Sequence, residues 1–175
     1  LVPEAPQKVR DWARRFVERA FRRPLAPDQL AFFVTRHFEG SRDLETAAKK
    51  VVLLALKSPR FLYPELGSSQ RDAYDAATRL SFGLWDSIPD DALLDAARNG
   101  SLDTPEGLTR QAERLVADAR ARAKVLEFFH HWLQLDRLHE LAKDAKLYPD
   151  FTEAVASDLR SSLDLFLDEV VWSDT

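Results

Sequence analysis

In the run Glu127-Phe128-Phe129-His130-His131, a carboxylate and an imidazole stand three residues apart, so a helix would place them on one face. Di-iron carboxylate bundles take ligands from pairs of this kind. Asp136 and His139 repeat the spacing, and Glu153, Asp164 and Asp168 follow in a later segment. A closed metal site needs about three or four ligands converging from at least two helices. Here the local geometry opposes convergence. Neighbouring His130 and His131 leave a helix about 100° apart. His139 lies about 12 Å beyond His131 along a continuous helix. The expectation is therefore no stoichiometric metal. One histidine packs beside Trp132, the other sits at the surface, and Glu127 is a partner one turn away. Were a metal held, Glu127, His130, His131 and His139 are the candidate ligands. No side chain is assigned a catalytic role, and no cofactor is expected in this segment.

The other concentration of charge is Arg14, Arg15, Arg22 and Arg23 with Lys8 and Arg10. Such a set suits phosphates or an acidic partner. It equally suits a solvated helix face whose arginine stems cover aromatic core edges, with Glu18 and Asp11 as local ion-pair partners. The net charge of −4 favours the second reading and opposes bulk binding to nucleic acid or an anionic membrane. Arg60, in Ser58-Pro59-Arg60-Phe61-Leu62-Tyr63, reads as part of a structural joint. Pro59 sets the exit direction, and Phe61 and Tyr63 anchor it in the core.

Several chemistries lack their motifs. Ser81 is flanked by Leu80 and Phe82 rather than glycines, so there is no nucleophile elbow. Neither a phosphate-binding loop nor a dinucleotide fingerprint nor a calcium loop occurs. With no cysteine, the segment has no disulfide, thiolate nucleophile or covalent haem attachment. Asp90 and Asp91 read as helix caps rather than a catalytic pair.

The elements that must carry these groups are helical. Val9, Trp12, Ala13, Phe16, Val17, Ala20 and Phe21 recur at helix spacing between Pro6 and Arg23. Further helices are expected from Pro27 to Gly40, from Leu44 to Lys57 behind a cap at Ser41 or Asp43, and from Asp72 to Trp85. Others follow over Asp91 to Asn99, Thr104 to Asp118, Arg120 to Leu135 or Ala142, and Thr152 to Val171. No segment alternates with period two. Pro64 and Gly67-Ser68-Ser69 mark the clearest internal boundary. The fold expectation is all-α: a compact assembly in which a three-helix unit (residues 1–66) packs on a five- or six-helix unit (residues 70–175). Trp12, Phe16, Phe33 and Phe61 should be largely buried, because a small helical unit has a thin core unless it shares one. The longest apolar run, Val51 to Leu56, is too short for a membrane span. Both ends of the chain read as cuts in a longer protein.

Two sets of motifs carry a family resemblance. Phe16 to Leu25 (Phe-Val-Glu-Arg-Ala-Phe-Arg-Arg-Pro-Leu) and Leu54 to Tyr63 (Leu-Ala-Leu-Lys-Ser-Pro-Arg-Phe-Leu-Tyr) resemble the opening and closing signatures of planctomycete surface domain five. Ala76 to Asp91 (Ala-Ala-Thr-Arg-Leu-Ser-Phe-Gly-Leu-Trp-Asp-Ser-Ile-Pro-Asp-Asp) is similar to planctomycete surface domain four. The likeness continues through Phe128 to Leu138 and Lys146-Leu147-Tyr148-Pro149-Asp150-Phe151. It implies a domain five unit at 1–66 and a domain four unit at 70–175, truncated at its C-terminus. Families of this kind have no established function. They imply a piece of a large exported bacterial protein, in the periplasm or cell envelope, with a c-type cytochrome domain and its haem nearby.

The favoured expectation is a structural or interaction module. Its partners would be other domains of the same polypeptide or another protein, with no nucleic acid and no membrane span in this segment. Two alternatives stand beside it: an enzyme domain with a metal or haem at a helical interface, and a module binding an extracellular ligand such as a glycan.

Overall fold

The computed structural model describes residues 5–39, 41, 43–63, 72–135, 143–144 and 146–173. Every regular element among them is helical, as the apolar spacing requires. Helix α1 (Ala5–Phe21) buries Ala13, Val17, Ala20 and Phe21 and stops where Arg22 turns left-handed at φ +60°, two residues before Pro24. α2 (Pro27–Leu30) starts with proline at its first position and runs through a π-helical turn, Ala31–Thr35, into α3 (Arg36–Phe38). The backbone stays right-handed across both junctions, so one continuous rod presents Phe33, Val34 and Phe38 to the core.

Asp43 caps α4 (Leu44–Leu56) by accepting from the amides of Glu45 and Thr46 at 3.1 Å each, and from the Thr46 hydroxyl. These bonds, the hydroxyl's foremost, hold its carboxyl below the ordinary range. Ser58 does more than end α4: its Oγ caps a further short helix, α5 (Pro59–Leu62). Asp72 and Asp75 form a reciprocal capping box at the start of α6 (Ala73–Trp85). Buried Ser81 then secures the turn after α6 by donating to the Ser87 carbonyl at 2.7 Å. Asp90 caps α7 (Asp91–Arg98), and a 3₁₀ turn (Ser101–Asp103) leads to α8 (Pro105–Val116). At Gly107 the Ser101 carbonyl comes so close that a Cβ would lie 1.7 Å from its oxygen. Only glycine lets that turn close onto α8. Asp118 caps α9 (Ala119–Trp132), and Thr152 caps α10 (Glu153–Trp172).

Packing divides the chain into residues 1–113 and 114–175. In the first unit α1 lies on α4, the α2–α3 rod on both, and α6 on α7. Its core joins residues of α1, the rod and α4, with Leu25, Leu44 and Phe61 packed at the margin. In the second unit α9 packs on α10, and among the described residues Leu115, Ala121, Leu135 and Leu167 are buried. The sequence segments 1–66 and 70–175 are a division by pattern, a different quantity from this division by packing.

Two burial expectations need correction. Trp12 is 45% exposed, stacked on Phe16 with ring centroids 5.6 Å apart. It lies about 100° around the helix from Ala13, at the edge of the buried stripe rather than on it. Tyr63 is exposed too, because α5 ends there and its ring leaves the core. Phe33 is buried, while Phe16 and Phe61 are half-buried.

Candidate functional site

Arg19 in the last turn of α1 and Arg22 and Arg23 just beyond it make a cationic joint. The left-handed backbone at Arg22 swings its side chain inward, to 3% exposure. Its guanidinium donates to three main-chain carbonyls: Arg60 at 2.7 Å, Ala20 at 3.0 Å and Phe61 at 3.4 Å. It also lies 5.8 Å from the Phe82 ring centroid of α6. Burial, and then the neighbouring charge of Arg23, lower its pKa from the ordinary guanidinium value. The Ala20 carbonyl lies in the last turn of α1 and those of Arg60 and Phe61 in the short α5, and carbonyls at helix C-termini carry partial negative charge that favours a cation. A buried guanidinium thus draws α1, α5 and α6 together, so Arg22 departs from the solvated arginine face that the sequence suggests. At the joint near Pro59, it is the Arg60 carbonyl rather than its side chain that makes the contact.

Arg23 reaches the capping box of α6. Its guanidinium donates to Asp72 at 3.0 and 3.3 Å and to Asp75 at 2.7 Å, and lies 5.9 Å from the Tyr74 centroid. Arg19 donates to Asp91 of α7 at 2.7 Å, a largely exposed pair. Arg14 uses the local partner expected of this helix, Glu18 at 3.5 Å. Asp11 accepts instead from Gln7, at 2.9 Å. Arg10 lies 5.8 Å from the Phe38 centroid, the covering of an aromatic edge that the sequence suggested. Between these pairs opens a cleft of about 340 Å³, lined by Arg15, Arg19, Arg23, Arg98, Tyr74 and Leu94 with Glu18, Pro24 and Asp91.

The second unit holds the histidine run. His130 Nε2 lies 2.7 Å from Asp164 Oδ1 of α10, with both side chains partly buried. His131 points to the surface, 3.7 Å from Glu127 one turn back. The expected surface histidine with Glu127 beside it is therefore His131. His130 meets Asp164, which the sequence had offered only as a possible metal ligand. Asp168 lies 3.5 Å from Arg122, whose guanidinium carbon sits 5.2 Å from the Trp172 centroid. Glu127 and His130 are not brought together, and His139 lies outside the described residues. Among the described residues no group of three His, Asp or Glu side chains is placed to hold a metal ion.

Elsewhere on the same two helices, aromatic and aliphatic side chains stand uncovered. Phe128 and Trp132 stack at 5.8 Å and are 57% and 66% exposed. On α10, Val155, Leu159, Phe166 and Val170 are exposed and fall within about 60° of arc. No helix among the described residues is long and apolar enough to cross a membrane.

The family model described as PSD4, protein of unknown function (DUF1592), matches residues 72–175, which meets the expectation for the C-terminal segment. No curated protein and no solved structure matches the chain.

Proposed function

The chain belongs to the PSD4 family of proteins of unknown function (DUF1592), and on that premise we propose that it is a helical structural and interaction module of a larger exported bacterial protein. The observation that carries this reading is the uncovered apolar surface of α9 and α10. Phe128, Trp132, Leu159, Phe166 and Val170 stand open to solvent on two helices packed against each other. Exposed apolar surface on this scale is costly in water, and it marks contact with another protein surface. We assign that contact to a neighbouring part of the same polypeptide. In the same reading residues 1–66 are a planctomycete surface domain five unit, the module works in the periplasm or cell envelope, and a c-type cytochrome domain stands nearby in the chain. The His130–Asp164 pair then serves to hold α10 on α9.

Carbene footprinting tests this. Labelling of Phe128, Trp132 and Phe166 is compared in residues 1–175 and in the full-length polypeptide. Protection of all three in the longer protein is expected. Equal labelling in both proteins rejects the reading.

A further inference from the structure

Arg15 lines the cleft between α1, α6 and α7 and has no carboxylate within ion-pair distance among the described residues. Three nearby arginines are engaged: Arg14 with Glu18, Arg19 with Asp91, and Arg23, just beyond α1, with Asp72 and Asp75. From α7, Arg98 lines the same cleft, and its partner Asp95, on its own helix, does not. Of the charged side chains lining the cavity, four are arginines (15, 19, 23, 98) and two are acids (Glu18, Asp91). Both acids are already held by arginines. Tyr74, Leu94 and Pro24 supply an apolar wall beside the guanidinium groups. The volume of about 340 Å³ falls at the small end of ligand clefts, which run from about 300 to 1,000 Å³.

From this juxtaposition we propose that the cleft binds a small organic anion, its phosphate or carboxylate oxygens between Arg15 and Arg98 and its carbon skeleton against Tyr74 and Leu94. Guanidinium forks match phosphate and carboxylate oxygens geometrically, and such charge-assisted bonds are the stronger class of hydrogen bond. Arg19 and Arg23, tied to Asp91 and to the α6 cap, hold the cleft walls and add positive potential without turning to the ligand. The proposal is independent of the role assigned to α9 and α10, which belong to the other packing unit.

The test is a titration of the 175-residue chain followed by calorimetry and by NMR shifts of Tyr74 and Leu94. Phenyl phosphate, succinate and inorganic phosphate are the probes. Saturable binding of phenyl phosphate or succinate is expected, tighter than inorganic phosphate and weakened by salt, and the tighter of the two names the oxyanion. Arg15→Gln combined with Arg98→Gln should reduce that affinity about tenfold or more. Arg110→Gln, on α8 and outside the cleft lining, should leave it unchanged. Neither Arg15 nor Arg98 holds two helices together, so the double variant should keep the circular dichroism and melting temperature of the parent. No saturable binding of either organic probe at millimolar concentration would overturn the proposal. So would equal affinity in the double variant, or shifts that bypass Tyr74 and Leu94.

Discussion

Arg22 in the first packing unit and His130 in the second both tie helices together through a charged or chargeable side chain, but with different surroundings. Arg22 is almost fully buried, answers three carbonyls and touches a third helix through Phe82. His130 meets one carboxylate where both side chains remain partly open to water. Around Arg22 lies a continuous apolar core, whereas around His130 few side chains are fully buried and large apolar ones stand exposed. The difference separates a joint that must form for the unit to fold from a tie that adjusts how a helix is held.

The sharpest way to break the comparison is Arg22→Met. It keeps most of the stem's bulk and leaves the carbonyls of Ala20, Arg60 and Phe61 without their buried donor. Urea unfolding should show a loss of about 3 kcal/mol. Arg19→Gln, at an exposed pair on the same helix, should cost no more than about 0.5 kcal/mol. Similar values for the two would place Arg22 among the ordinary surface charges.

A smaller effect is expected at His130. A double-mutant cycle over His130→Ala and Asp164→Ala should give a coupling of about 1 kcal/mol, because the pair is only partly withdrawn from water. A coupling as large as the Arg22 loss would make the two ties equivalent.

The smallest effect concerns acid. Asp118, the cap of α9, is held at a pKa of about 2, chiefly by the Arg120 side chain and then by the Arg120 amide. Its unfolded value is about 3.9. A carboxylate lowered on folding stabilises fully above its unfolded value and loses that contribution as pH falls through the folded one. Neutral stability should be untouched by pH, and the cap's contribution should fade from about pH 4 to about pH 2. An NMR titration of the Asp118 carboxylate with a midpoint near 4 would remove this prediction.

Much of the fold was legible because helix starts and stops are local. Asp43, Asp72, Asp90 and Thr152 cap helices as residues of their type do, and Pro27 and Pro105 open them. Apolar spacing located the core of α1 except at Trp12, which stands one residue off the stripe. The site was less legible, since pairing partners sit 49, 52 and 72 residues away in sequence, as Arg23 does from Asp72 and Asp75, and Arg19 from Asp91. Helix spacing reports which charges share a face and nothing about which distant element that face meets. Arg22 was the hardest of all: buried arginine is rare, and its acceptors are carbonyls, which every residue carries. The one local hint was its position two residues before Pro24, where the chain has to leave the helix.

The π-helical turn at Ala31–Thr35 bears on how this chain tolerates change in length. Such a turn holds one residue more than the α-helical ladder needs. Losing a single residue there would let the rod continue as an ordinary helix, while everything after it rotated by about 100°. Phe38 would then swing from the α1–α4 core toward water, and the Arg10 guanidinium would lose the ring it covers. The rod therefore stores a register setting: the extra residue keeps two apolar faces in phase across a segment in which a uniform helix would let them drift apart.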